Sequence, residues 1–78
     1  DTSNVTDMSY MFENTKNLKT IYASDKFVTN KVTSSTNMFS SSINLVGGAG
    51  TIYNSSKTDK TFARIDGGTS SPGYFTKK

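Results

Sequence analysis

The sequence predicts an α/β fold: a solenoid of short helix-strand repeats that ends in a C-terminal cap. The first observation behind this prediction is that the segment over residues 2–18 recurs over residues 29–45 at one constant offset. Both copies contain a Met-Phe pair and end in Asn-Leu. Repeats of about 20 to 50 residues are typical of solenoids, in which each unit buries its apolar side by stacking on its neighbours. The second observation is the pattern within each copy, which indicates a helix followed by a strand.

The first element is a predicted helix of about two turns. Its apolar residues follow helical spacing and are predicted to share one buried face: Val5, Met8, Met11 and Phe12. Asn4 or Thr6 can cap this helix, and Asp7 falls in its first turn, where a carboxylate is favoured. Because Met11-Phe12 recurs as Met38-Phe39, we predict that all four of these side chains belong to the core.

The second element is a short strand over residues 18–23, which combine β-branched and aromatic residues with apolar positions at Leu18, Ile21 and Ala23. The second copy is degenerate, because Ser35 stands where the first copy has Met8, and Gly48 where it has Ile21. A repeat that weakens in this way is expected next to a cap, since the last unit has no following neighbour.

The chain is therefore divided into repeat 1 at residues 1–26, a degenerate repeat 2 at 27–50 and a C-terminal cap at 51–78. Gly-rich residues 47–50 predict a chain reversal, which is a simpler explanation than a phosphate cradle because no Lys-Ser or Lys-Thr follows. The cap is predicted to contain a strand over 51–53 and a helix that starts at Thr58 or Asp59 and stops at Gly67. Its apolar side would hold Phe62, Ile65 and Ala63, and a final strand would span 74–76.

Composition limits the function classes. More than a third of the residues are Ser, Thr or Asn, the hydrophobic fraction is 32%, and the net charge is only +3. A chain of this kind must bury a thin core, but nine aromatic residues, four Tyr and five Phe, argue against disorder. The basic residues are not clustered into the stripe expected of a nucleic-acid interface, and no apolar run is long enough to cross a bilayer.

Catalytic chemistry has little material in this sequence. There is no His and no Cys in the chain. Ser-His-Asp and Cys-His catalytic arrangements therefore cannot form, and the usual ligands of transition-metal sites are missing. The six acidic residues are scattered, without the paired carboxylates of a glycosidase or the alternating oxygen ligands of a calcium loop. We predict a chain without enzymatic activity, cofactor or metal.

The candidate contact residues lie on the predicted strand. In stacked scaffolds the outward strand face commonly binds the ligand, and alternation along the strand turns Lys19, Thr20 and Tyr22 toward this face. An exposed Tyr supplies contact area at a small entropic cost. The alternative is that Tyr22 makes an ordinary packing contact between repeats.

Residues 1–12 resemble the repeat of the BspA-like bacterial surface proteins, the DUF285 class. Residues 58–68 and 72–76 resemble the segment that often closes such arrays. The resemblance implies a leucine-rich-repeat-like solenoid displayed on the bacterial cell surface and associated with adhesion. Two departures affect the scaffold: Thr15 and Ser42 replace a frequent Cys, and residues 21–23 replace a frequent Leu-Asp-Leu strand.

Together these observations predict a non-enzymatic fragment of an extracellular bacterial surface protein, an adhesin that binds host extracellular-matrix or other bacterial surface proteins. It would be the C-terminal piece of a longer array and would stack on upstream repeats of the same chain. No nucleic acid and no membrane insertion are expected of this fragment. Two alternatives stay open: a purely structural cap that protects the edge of the array, and a glycan-binding module that uses Tyr22, Tyr53 or Tyr74 as a stacking platform.

Overall fold

The computed structural model of the chain describes residues 2–78; Asp1, the first residue of predicted repeat 1, lies outside them. Its regular elements are short: strand β1 at Ile21–Ala23, strand β2 at Phe75–Lys77, and two single-turn 3-10 helices at Lys60–Phe62 and Gly68–Ser70. The predicted fold class is wrong. Residues 2–78 contain no α-helix and only these two short strands, so no solenoid of helix-strand repeats is evident.

Turns replace the predicted helix in both copies. Tyr10 and Asn14 adopt left-handed backbone conformations, with φ of 60° at each, and the equivalent Asn37 and Ser41 do the same at 55° and 63°. A residue with positive φ cannot continue a right-handed helix. The amide of Met11 accordingly donates to the carbonyl of Met8, three residues back, and the same bond recurs in the second copy. The apolar spacing that suggests a helix is therefore produced by a turn that occurs in both copies.

Four amides of the first copy bond to the second copy. Four alternate N–H groups, those of Met8, Tyr10, Phe12 and Asn14, donate to the carbonyls of Ser34, Thr36, Met38 and Ser40 at 2.8 to 3.1 Å. Asp7 and Ser34 also form a parallel bridge. A helix would use these amides internally, so the two copies lie in register at the expense of helical structure.

Side chains reinforce this register. The Thr15 and Ser42 hydroxyls, 27 residues apart, lie 2.8 Å from one another, and both donate to the carbonyl of Phe12. These are the two positions where the sequence departs from the family's Cys. The rings of Phe12 and Phe39 stack with centroids 5.4 Å apart and an angle of 11°. Equivalent residues of the two copies are therefore direct neighbours.

The core lies between the second copy and the C-terminal segment. Its buried side chains come from both copies and from the last third of the chain: Met8, Ala23, Val32, Met38, Phe39, Leu45, Ala63, Tyr74 and Phe75. Met38 and Phe39 are buried as predicted, and Phe12 packs partly buried against the core. The core assignment of Met11 is wrong, because its side chain is 45% exposed.

The second copy leaves the register of the first at Gly47. Val46 still donates its amide to the carbonyl of Lys19, but the next residues turn back, and Val46 pairs antiparallel with Ile52. Beside β1 the chain instead places β2, which pairs parallel with it, Ile21 opposite Phe75 and Tyr22 opposite Thr76. Gly48, which replaces Ile21 in the second copy, lies against the backbone of Thr76.

Asp66 fastens the predicted chain reversal. Its carboxylate accepts the amides of Ala49 and Thr51, each at 2.9 Å, the Thr51 hydroxyl at 2.8 Å and the amide of Gly68 at 3.0 Å. Burial acts to raise the pKa of Asp66, but the hydrogen bonds from Thr51, Gly68 and Ala49 outweigh it and lower the pKa to about 2. Asp66 therefore holds the turn as an ionised carboxylate. It does not lie in the C-terminal part of a helix, where the sequence predicts it.

The predicted elements of the cap are present only in part. Asp59 does cap a helical turn, since its side chain accepts the amide of Thr61, but the turn is the single 3-10 turn Lys60–Phe62. Gly67 precedes the second 3-10 turn instead of stopping a helix. The strand predicted over 51–53 reduces to the one bridge at Ile52, and the strand predicted over 74–76 is β2. The boundaries at 26 and 50 stay a prediction.

A candidate binding cleft on the first copy

A cleft of about 390 Å³ opens beside β1 on the first copy. Its lining residues come from a turn of the first copy, from β1 and the turn that follows β1, and from the residue that follows β2. They are Phe12, Ile21, Tyr22, Ala23, Ser24, Phe27 and Lys78. Most of these residues are apolar. The amide of Lys78 donates to the carbonyl of Ala23 at 2.9 Å, which holds a basic residue at the rim.

Aromatic rings form the base of the cleft. Phe75, which is fully buried in β2, packs edge-on against Phe27 at 4.7 Å and against Phe12 at 6.3 Å. Phe12 in turn stacks on Phe39. Because edge-to-face and stacked arrangements fix the orientation of each ring, the apolar base is held in place before any ligand arrives.

Tyr22 projects from the wall of this cleft with 67% of its side chain exposed. Its neighbours in β1, Ile21 and Ala23, face the protein, as the alternation of a strand requires. In this short parallel pair the outer edge of β1 has no strand partner within residues 2–78. The cleft thus combines an exposed aromatic ring, an apolar base and an unpaired strand edge.

Only one of the three predicted contact residues lines the cleft. Tyr22 lines the cleft, whereas Lys19 and Thr20 are exposed but lie outside its lining. The carbonyl of Lys19 is occupied by the amide of Val46. A ligand role for all three stays a prediction.

Of the three tyrosines considered as sugar platforms, Tyr22 alone is highly exposed. Tyr74 is fully buried, its hydroxyl donates to the carbonyl of Lys57 at 2.8 Å, and burial raises the pKa of that hydroxyl. Tyr53 stacks on Tyr74 at 6.1 Å, and its hydroxyl accepts the amide of Ser41. Both rings are part of the packing of the second copy and the last segment, so only Tyr22 can present its face to a ligand.

The first copy also presents open backbone acceptors. In the second copy, the carbonyls that accept the ladder of amides belong to Ser34, Thr36, Met38 and Ser40. The equivalent carbonyls of the first copy belong to Asp7, Ser9, Met11 and Glu13, and none of them accepts a backbone amide from residues 2–78. This side of the first copy therefore offers to a further polypeptide the same row of acceptors that the second copy offers to the first.

The charged groups near these features serve local structure. The Ser9 amide, at 2.9 Å, and the Ser9 hydroxyl lower the pKa of Asp7, and the Thr61 side chain and amide lower the pKa of Asp59. Both carboxylates cap turns. Across residues 2–78 no three acidic side chains converge on a point where they could hold a metal ion, and no helix there is long and apolar enough to span a membrane.

Two aromatic residues that line the cleft, Phe12 and Phe27, are not among the predicted contact residues. Phe27 is the first residue of predicted repeat 2 but lies outside the matched segments 2–18 and 29–45, so the repeat gives no signal for it. Phe12 is a predicted core residue, and its stack on Phe39 confirms that one face is packed while the other face lines the cleft. Within residues 2–78 no further copy stacks on Phe12 from the other side, which explains this double role.

Comparison with known proteins gives one match. Neither the curated proteins nor the solved structures contain a match to this chain. A family model does match, over residues 1–66, and it is described as "Mycoplasma protein of unknown function, DUF285". These residues include both copies and the Asp66 carboxylate that fastens the turn. Since the match covers most of the 78 residues, the chain belongs to the DUF285 family.

Proposed function

We propose that this chain is part of a non-enzymatic bacterial cell-surface protein, an adhesin, and that it binds host extracellular-matrix or other bacterial surface proteins through the cleft beside Tyr22. The observation that carries the proposal is the cleft itself, an apolar base of fixed aromatic rings beside a Tyr that is 67% exposed. Clusters of this composition are typical of the centres of protein interfaces, where aromatic residues contribute most of the binding energy.

The polar features of the same side support a protein ligand. The rim carries Lys78, and the open carbonyls of Asp7, Ser9, Met11 and Glu13 are acceptors that a polypeptide backbone can satisfy. The lining contains no Asp or Glu, so the cleft lacks the paired carboxylates of a glycosidase. Binding by shape and backbone hydrogen bonds is the function that this arrangement serves best.

The proposal is tested by binding to immobilised fibronectin, laminin, collagen and a glycan array across a salt series. We expect one of the proteins to bind, and we expect Tyr22→Ala and Phe27→Ala to weaken binding at least tenfold. Tyr10→Ala is the matched control, because Tyr10 is 54% exposed but lies outside the cleft. Binding that falls equally in Tyr10→Ala, or no binding to any surface, contradicts the proposal. Binding only to sugars, lost in Tyr22→Ala, favours the glycan module instead.

A structural role is the second candidate, and the cover over the second copy favours it. The amide of Phe39 donates to the carbonyl of Thr58, the Lys60 ammonium donates to the carbonyl of Val32, and the Lys60 amide donates to the Ser35 hydroxyl. Residues 58–60 thus occupy the side of the second copy that faces away from the first. This is what a cap would do, while the open acceptors of the first copy would receive an upstream repeat of the same chain.

Truncation after Gly50 separates the two roles. It exposes Met38 and Phe39, and if residues 51–78 act as a cap, the shortened chain should self-associate, as measured by light scattering after size exclusion. The full chain carrying Tyr22→Ala is the control and should stay in its original state. A truncated chain that stays folded and monomeric would contradict the capping role.

A further inference from the structure

A surface of the second copy differs from the equivalent surface of the first copy, and the packing of the core does not require this difference. Two lysines of the first copy, Lys16 and Lys19, are replaced by Ile43 and Val46 at the equivalent positions of the second. The replacements do not serve the core, because Ile43 is 60% and Val46 39% exposed. Ile52, at 72%, is the most exposed of the large hydrophobic residues in the described chain.

These aliphatic residues form a defined patch. Val46 and Ile52 are directly opposite in an antiparallel bridge, and residues paired in this way present their side chains on the same face. Ile43, three residues before Val46 in the chain, is exposed as well. We call Ile43, Val46 and Ile52 the aliphatic patch. All three are β-branched, so they lose little rotamer freedom when a partner covers them.

The patch rests on a fixed turn. The reversal between Val46 and Ile52 is closed by the amide of Gly47, which donates to the carbonyl of Thr51 at 2.8 Å. The Asp66 carboxylate then binds the amides of Ala49 and Thr51 and the Thr51 hydroxyl. A surface held by this many hydrogen bonds is already in its binding conformation, which reduces the entropic cost of association.

Positive charge flanks the patch. The carbonyl of Lys19 accepts the amide of Val46 at 2.8 Å, and the carbonyl of Lys16 accepts the side-chain amide of Asn44 at 2.7 Å. The backbones that carry both lysines therefore lie directly beside the residues of the patch, and both lysine side chains are exposed. An aliphatic centre with cations along one side is complementary to an apolar surface with carboxylates along one side.

We propose that the aliphatic patch, with Lys16 and Lys19, is a second docking surface, and that its partner is a polypeptide segment that combines aliphatic or aromatic side chains with Asp or Glu. This surface is separate from the cleft beside Tyr22, and it extends the proposed binding function to a second site. The protein occupant is favoured over a membrane because the patch consists of small β-branched side chains without Trp, Tyr or Phe, the residues that anchor at lipid interfaces.

Selection of phage-displayed twelve-residue peptides on the immobilised full chain tests the proposal. We expect the enriched peptides to carry carboxylates next to large apolar residues. Synthetic versions should bind at least tenfold more weakly to Ile52→Thr and Val46→Thr, which keep β-branching and add a hydroxyl. Val46→Lys restores the residue of the first copy and should have the same effect. Lys19→Glu should weaken binding severalfold, and high salt should do likewise.

Two controls keep these outcomes distinct. Tyr22→Ala should leave the affinity of the selected peptides unchanged, so a failure of the cleft as a binding site would not affect this result. Unchanged unfolding midpoints of the Thr variants would show that the fold is intact. The proposal is overturned if no peptide is enriched, if binding is insensitive to Ile52→Thr, or if only vesicles of anionic lipid bind to the patch.

Discussion

The two copies of the repeat carry the same Met-Phe pair in two different surroundings. Met38 and Phe39 are fully buried, whereas Met11 is 45% exposed and Phe12 is half-buried. The difference comes from the layers around them, since the second copy lies between the first copy and residues 58–60, whereas no equivalent layer covers the open carbonyls of the first copy within residues 2–78. A repeated apolar residue thus becomes core or exposed surface according to what covers it.

The largest effect expected from this comparison is on the unfolding free energy of the chain when each of the two Phe residues is replaced by Ala. Phe39 contacts the rings of Phe12, Tyr74 and Phe75 with centroids 5.4, 4.9 and 6.1 Å away, so Phe39→Ala should cost about 3–5 kcal/mol of unfolding free energy. Phe12→Ala removes a half-buried ring and should cost about 1–2 kcal/mol. Urea unfolding followed by tyrosine fluorescence measures both. Equal losses would show that the two copies are equally covered.

The glycines of the chain reversal give the next largest difference. A Cβ on Gly47 would overlap the carbonyl oxygen of Gly73 and the Asp66 carboxylate, so Gly47→Ala should cost about 3 kcal/mol. Gly50 has open space around it but a φ of +97°, so Gly50→Ala should cost only about 1–2 kcal/mol of backbone strain. Thermal unfolding of the two variants checks this order, and a larger loss in Gly50→Ala would contradict the close approach at Gly47.

Acid should destabilise the turn through Asp66. The folded chain lowers the pKa of this carboxyl from 3.8 to about 2, so its contribution is present above pH 4 and is lost as the pH falls toward 2. The lost stability is about 2 kcal/mol. Unfolding free energy measured between pH 6 and pH 2 should fall less in Asp66→Asn than in the original chain. Asp7→Asn, at an exposed turn, is the matched control and should leave most of the pH dependence in place.

The smallest predicted effect concerns the hydroxyls that bridge the copies. Ser42 is buried and donates to the carbonyl of Phe12 at 2.6 Å, but Thr15 also donates to that carbonyl, so Ser42→Ala should cost only about 1 kcal/mol. Ser9 makes an exposed contact with Ser34, and Ser9→Ala should be nearly neutral. Denaturant titration resolves the pair, and a greater loss in Ser9→Ala would contradict the burial of the Ser42 bridge.

The sequence predicts the repeat and its offset, a helix start at Thr58 or Asp59, and strands over 18–23 and 74–76, of which Asp59 caps a turn and 21–23 and 75–77 form strands. It does not predict the local fold. The spacing of Met8, Met11 and Phe12 fits a helix, but two successive turns produce the same spacing. Tyr10 adopts a positive φ, and the sequence has no Gly at this position to indicate it. A pairing of β1 with β2, more than 50 residues later in the chain, depends on tertiary packing that local patterns do not record. For the site, Tyr22 could be selected by alternation, whereas Phe27 lies outside the repeat.

The most direct test of the account is a comparison of Met38→Ala with Met11→Ala by urea unfolding under identical conditions. The two methionines occupy equivalent places in the repeat, so their intrinsic preferences are matched and only their cover differs. Burial of Met38 predicts a loss of about 2–4 kcal/mol, and the exposure of Met11 predicts a loss below about 1 kcal/mol. Similar losses for the two variants would contradict the claim that the first copy presents an open apolar side while the second forms the core.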